Sequence, residues 1–154
     1  MNQLFPQVVG SNLLGEQKLI PHDLDGEINI LVVAFQQWQQ AWVDSWVPTL
    51  ENLVNTHRSI EYYELPTIRR LNFIARKFID GGMKAGIPSK DTRRRTITLY
   101  IDKEPFKRAL EIEKEDLIYI FVVQKDGTIL FRTSGPYTLD AETKLIEMIE
   151  SIAQ

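Results

Sequence analysis

Three groups of side chains in this 154-residue sequence have types and spacings that could bind a ligand or partner. Trp38, Trp42 and Trp46 recur every fourth residue, and Gln36, Gln37, Gln39 and Gln40 surround the first of them. Glutamine amides both donate and accept, so such a cluster can hold an extended peptide backbone without covalent chemistry. A tryptophan stripe at helical spacing equally suits a core face. Arg69, Arg70, Phe73, Arg76 and Lys77 gather on one side of a helical wheel, with an aromatic ring at the centre of a cationic face. That pattern fits docking to an acidic protein or an anionic membrane surface, or a solvated face whose charges serve solubility. Arg93, Arg94 and Arg95 follow the loop GGMKAGIPSKDT and could close on a phosphate or carboxylate. They lead into a segment that alternates like a strand, where they would equally serve as edge charge against aggregation.

Much chemistry is excluded by what the chain lacks. It contains no cysteine, so no residue of it can supply a thiolate for disulfide exchange, thiol peroxidation or a thiolate metal site. Its two histidines, His22 and His57, lack metal-ligand spacing, and no cofactor or metal is expected. Ser45 has no histidine near it in sequence, so nucleophilic catalysis by serine is a remote option. Glu111, Glu113, Glu115 and Asp116 read as a solvated acidic loop, and no glycine-rich phosphate loop is present.

The elements that must position these groups follow from periodicity and turn chemistry. Residues 5–27 are rich in turn formers and suit a lead-in hairpin. Ile28 to Phe35 is nearly continuous apolar and β-branched, as expected of a central strand covered on both faces. Trp38 to Asn55 has helical periodicity, and Pro48 predicts a kink or a late start. Ile60 to Glu64 reads as a strand ended by Pro66, with Thr67 capping a helix that runs to about Asp80 before Gly81 and Gly82. Arg95 to Ile101 alternates and is β-branched, and Lys103 to Leu110 suits a short helix. Ile118 to Val123 and Thr128 to Arg132 flank Asp126-Gly127, a strong hairpin signal. Thr138 to Ala153 closes the chain as an amphipathic helix with Leu139, Leu145, Ile146, Ile149 and Ile152 inward.

The length predicts one domain over 1–154, with 66–95 as a basic helix-and-loop insertion. Hydrophobic residues make up 44% and charged residues 25%, which is ordinary for a globular protein. The net charge of −3 hides a segment from Arg69 to Arg95 that carries +7, leaving −10 for the remainder. Overall acidity and the absence of a reading motif argue against nucleic acid as a partner. The chain shows no signal-like start and no bilayer-length apolar run, so a cytoplasmic location is the expectation.

The order strand–helix–strand–helix–strand–helix–hairpin–helix indicates an α/β fold with a mixed central sheet and helices on both faces. That order resembles the thioredoxin-like superfamily, particularly its peroxiredoxin-like branch. The likeness rests on the apolar strand after DLDG at 23–26, the Trp-bearing segment, Pro48-x-Leu50-x-x-Leu53, the Lys125-Asp126-Gly127 hairpin and the amphipathic last helix. The resemblance implies a three-layer fold with a CxxC pair at the start of the first long helix, which counting back from Pro48 puts at Gln40 and Val43 and anchoring on Trp38 shifts by about one position. It also implies a cis-proline near Leu117–Tyr119. Neither hallmark is present. Residues 92–135 further resemble the thioredoxin-like assembly-factor family of mitochondrial ATP synthase, which implies help in assembling a membrane complex through protein binding.

These readings converge on a redox-inactive thioredoxin-like protein that acts as a protein-binding or assembly module. Its expected contact surfaces are the edge at Trp38, Gln39, Gln40 and Trp42 and the basic face at Arg69, Arg70, Phe73, Arg76 and Lys77, the latter suited to an acidic partner. The alternatives are a non-thiol enzyme or small-anion binder using Arg93 to Arg95, and peripheral binding to an anionic membrane.

Overall fold

A computed structural model describes residues 3–69 and 89–152, with the backbone alone at Arg69. In chain order the strands are β1 (Val8–Asn12), β2 (Gln17–Ile20), β3 (Ile28–Ala34), β4 (Ile60–Arg69), β5 (Ile97–Ile101), β6 (Tyr119–Gln124) and β7 (Ile129–Ser134). The helices are α1 (Gln40–Thr56), preceded by a 3-10 turn at Gln37–Gln39, α2 (Lys90–Arg95), α3 (Lys103–Ala109) and α4 (Leu139–Ile152). The strands form one sheet in the order β2-β1-β5-β4-β3-β6-β7. β3, β4 and β5 run parallel, while the β1–β2, β1–β5, β3–β6 and β6–β7 pairs are antiparallel, so the sheet is mixed as expected.

Alternation along β3 divides the core. Leu31, Val33 and Phe35 join Phe106 and Leu110, at and just after α3, on one face. Ile30 and Val32 join Val43, Trp46 and Leu50 of α1 and Leu145 and Ile149 of α4 on the other. Both faces are thus covered by helix, which is why β3 reads as a continuous apolar run. α1 continues through Pro48, an exposed position near its middle. The β6–β7 turn carries Gly127 at φ +99°, the left-handed backbone that Asp-Gly turns favour.

Four expectations are corrected. β4 does not end at Pro66: it continues to Arg69, with Thr67, Ile68 and Arg69 opposite Leu99, Tyr100 and Ile101 of β5. Thr67 is therefore a strand residue, 1% exposed, and no helix cap. Proline ends a strand when the ladder has nothing beyond it, but here β5 supplies the pairing on the far side of the proline. Arg93 to Arg95 are not strand residues either. They form the last turn of α2, whose Ser89 caps Thr92 N–H, and β5 starts only at Ile97. Leu139 is 71% exposed at the start of α4, although Leu145 and Ile149 are fully buried as expected. Glu115 is not a freely solvated acid, since Lys103 and Lys107 both pair with it.

The lead-in hairpin β1–β2 joins the sheet through β5, with Ser11 opposite Thr98 and Asn12 opposite Ile97. Gly10 makes this approach possible, because a Cβ there would lie 2.7 Å from side-chain carbons of Ile97 and Leu99 and 2.9 Å from the Thr98 carbonyl. Gly10→Ala is expected to cost about 1–3 kcal/mol through overpacking. The denaturant midpoint measures it.

Candidate binding edge

The edge builds from β3 upward. β3 delivers the chain to Phe35 at the C-terminal end of the parallel strands, and the 3-10 turn then redirects it into α1. Helix α1 begins at Gln40, the position that counting back from Pro48 assigned to the first residue of the missing pair. The 3-10 turn takes up the first amides of this end, with Gln39 N–H donating to the Gln36 carbonyl and Gln40 N–H to that of Gln37, and no thiol is there to be activated.

The three tryptophans separate into different environments. Trp46 is fully buried, donates its indole N–H to the Gly135 carbonyl at 3.2 Å and packs edge-to-face on Tyr137. Trp38 is 55% exposed, and its ring stands edge-to-face on half-buried Trp42 with centroids 5.0 Å apart. The stripe is thus part core and part surface. A large aromatic left in water beside a second one marks a contact surface more readily than a scattered apolar residue does.

The glutamines also divide. Gln39 is completely buried. Its Oε1 accepts from the N–H groups of Phe35 at 2.8 Å and Gln36 at 3.0 Å, and its Nε2 donates to the Glu115 carbonyl at 2.7 Å. This residue ties the turn before α1 to the loop before β6, where the resemblance places a cis-proline. Gln40 is exposed at residue level and donates through Nε2 to Asp44 at 2.9 Å and to Glu64 at 3.2 Å. Glu64, in the middle of β4, is 6% exposed. Burial raises its pKa above the usual carboxyl range, the Gln40 bond offsets part of that, and the charges of Asp44 and Glu51 add to it.

Glu115 sits across the edge. Lys103 approaches it at 2.7 Å and Lys107 at 2.9 Å. Partial desolvation pushes its pKa up, but the two ammonium groups outweigh it and hold the carboxyl below its ordinary value.

Of the basic face, Arg69 ends β4, while Arg70, Phe73, Arg76 and Lys77 lie outside the described residues. The arginine triplet lies on the flank of β4. Arg95 is buried and donates to Glu61 at 2.7 Å, to Asp91 at 2.9 Å and to the Tyr62 carbonyl at 3.0 Å, while its guanidinium lies over the Tyr62 ring. Arg94 pairs with Asp91 at 3.1 Å and Asp25 at 3.2 Å, and Arg93 is half-buried. Desolvation raises the Asp91 pKa, but hydrogen bonds from Arg95 and Arg94 outweigh it and leave the group below its ordinary value. The cleft beside Arg94, about 220 Å³, has Glu16, Asp23 and Asp25 in its wall against Lys18 and Arg94. An anion entering it would meet more carboxylates than cations. The burial of Gln39 and Glu64 is not legible in local sequence, because it depends on the Glu115 loop in the first case and on helix α1 lying over β4 in the second.

Among the described residues no cluster of three or more metal-ligating side chains occurs, and no helix is long and apolar enough to cross a membrane. No curated protein matches the chain. The fold is similar to that of a thiol:disulfide interchange protein from Bacteroides sp., at 13% identity and TM-score 0.64 over 97% of this chain and 90% of that one. It is also similar to a thioredoxin family thiol:disulfide interchange protein from Chlorobium tepidum TLS, at 15% identity and TM-score 0.61 over 99% and 97%. BsSco, a member of the Sco family of cytochrome c oxidase assembly proteins, matches at 13% identity and TM-score 0.61 over 99% and 95%. At such identities these likenesses show a thioredoxin-like fold alone. The family model described as ATP10 protein matches residues 2–152, essentially the whole chain, and so this cysteine-free thioredoxin-like protein belongs to the ATP10 family of ATP synthase assembly factors.

Proposed function

We propose that this chain is a non-catalytic assembly module that binds a protein partner, a subunit or intermediate of ATP synthase, at the edge formed by Trp38, Gln40 and Trp42 with Gln39 beneath. One observation carries the reading: Trp38 is 55% exposed on a half-buried Trp42, at the C-terminal end of the parallel strands, in a chain with no thiol to react there. Family membership supports an assembly role. The edge offers aromatic area at low entropic cost and amides that can pair with a peptide backbone. The basic residues Arg69, Arg70, Phe73, Arg76 and Lys77, of which Arg69 ends β4 and the others lie outside the described residues, are proposed as a second contact for acidic groups on the same partner, and charge reversal at Arg69, Arg70, Arg76 and Lys77 tests it by loss of the crosslink from position 38.

The main experiment places a photocrosslinking amino acid at position 38 and, as a control, at exposed Lys144 on the outer helix, in cells that assemble ATP synthase. Crosslinks to an ATP synthase subunit are expected from position 38 and not from 144. In the same cells Trp38→Asp is expected to reduce assembled complex at least tenfold while leaving the level of folded module unchanged, since an anchoring aromatic at an interface typically contributes about 2 kcal/mol or more. Equal crosslinking from both positions, or none to that complex, refutes the reading.

A further inference from the structure

Gln39 does more than fill space beneath the edge, and its three bonds divide between two loops. The carbonyl end holds Phe35 and Gln36, the last residues before the 3-10 turn, and the amide end holds the Glu115 carbonyl. Gln36 reaches toward the same loop from outside, with its Nε2 3.5 Å from a Glu115 carboxylate oxygen. A fully buried glutamine is uncommon, and an unmade bond at such a site costs more than a made one contributes. Gln39 follows exposed Trp38 directly in the chain, and both loops must be in register before its side chain can be satisfied. From the far side, Lys103 and Lys107 hold the Glu115 side chain while Gln39 holds its backbone.

We infer that Gln39 is the positioning residue of this edge: its side-chain amide couples the 35–36 turn to the 113–118 loop, so that the contact surface is preformed before any partner arrives. The inference rests on the reading of the edge as a contact surface. Its partner would then meet a surface whose ordering entropy has already been lost in folding, which favours affinity without new contacts. The role needs no covalent chemistry, in keeping with a chain that has no cysteine.

Hydrogen exchange on the isolated full chain, with no partner present, tests it. In the wild type the Gln39 side-chain amide protons are expected to exchange at least tenfold more slowly than those of exposed Gln37. Gln39→Glu retains acceptors for the Phe35 and Gln36 N–H groups and loses the donor to Glu115. It is expected to speed exchange about tenfold at the Ile112 and Gly135 N–H groups, which bond the Lys107 and Ile118 carbonyls at the two ends of the 113–118 loop, while Phe35 and Gln36 stay protected. Gln39→Ala is expected to release both sites. Uniform acceleration through β3 and β6, which loss of stability alone would produce, overturns the inference, as does unprotected Gln39 in the wild type. The wild-type measurement stands even if neither variant folds. Because no partner enters this experiment, the two failures are distinguishable: a negative crosslinking result removes the contact-surface role and leaves the measured coupling, while loss of the coupling leaves the crosslinking result standing.

Discussion

Arg95→Ala is expected to destabilise the fold by about 2–4 kcal/mol, toward the low end of what removing one member of a buried ion pair costs, because the arginine is buried but Glu61 is partly exposed. The guanidinium is buried at the open flank of β4, upstream of the point where β5 begins to pair. It satisfies the Tyr62 carbonyl, neutralises Glu61 and lies 4.5 Å over the Tyr62 ring centroid. Truncation leaves the Tyr62 carbonyl without this donor and leaves Glu61 with Arg94 alone, at 3.9 Å. For a chain of this size the loss corresponds to a fall in Tm of roughly 10 °C, at about 2–4 °C per kcal/mol. Arg94→Ala is the internal comparison. Its side chain is 32% exposed, as are its acidic partners to differing degrees, and a change within about 1 kcal/mol is expected. Calorimetry or thermal circular dichroism on both variants distinguishes a structural arginine from a surface one.

Glu64→Gln is expected to stabilise the protein at neutral and alkaline pH and to flatten its stability profile. Burial lifts the Glu64 pKa in the folded state, so the native chain keeps a proton that the unfolded chain releases near the ordinary carboxyl value. The contribution is fully present below that unfolded value and is lost as pH rises through the raised folded one. Above it, a charge sits at a 6% exposed position with a single amide partner and two further carboxylates nearby. Glutamine keeps the shape and removes the charge, for a gain on the order of 1 kcal/mol at pH 8 that disappears near pH 4. Asp91 and Glu115 run the other way. Their depressed values give stability that is present above the unfolded carboxyl pKa and lost as pH falls through the folded one. Denaturant melts of wild type and variant from pH 4 to 9 read both effects, and a variant gain that is constant across the range would refute the assignment to Glu64.

Local pattern carried the reading furthest where a segment answers to its own periodicity. β3, the Asp126-Gly127 turn and the buried stripe of α4 lie where apolar spacing and turn residues put them. Pro66 misled because its consequence depends on a strand thirty residues later. Arg93 to Arg95 misled because the alternation that begins at Ile97 was extended back across the end of a six-residue helix. Leu139 fits the apolar period of α4 but falls in its first turn, beyond the reach of the sheet, so periodicity alone could not tell it from Leu145.

The candidate edge shows the same division within seven residues. Its position at the head of α1 and the exclusion of thiol chemistry follow from residue type and spacing, since no arrangement in space can supply a sulfur that the chain lacks. Which tryptophan faces water, and that Gln39 rather than its neighbours is buried, depended on where the Glu115 loop and the Gly135 carbonyl came to lie. Sequence by itself determined the α/β class, the central strand, the first long helix and the lack of a thiol in this chain. Tertiary structure alone decided which of these side chains are exposed and which are buried, because a polar side chain is buried only where all its groups are satisfied, and local sequence does not encode the distant ones among those partners.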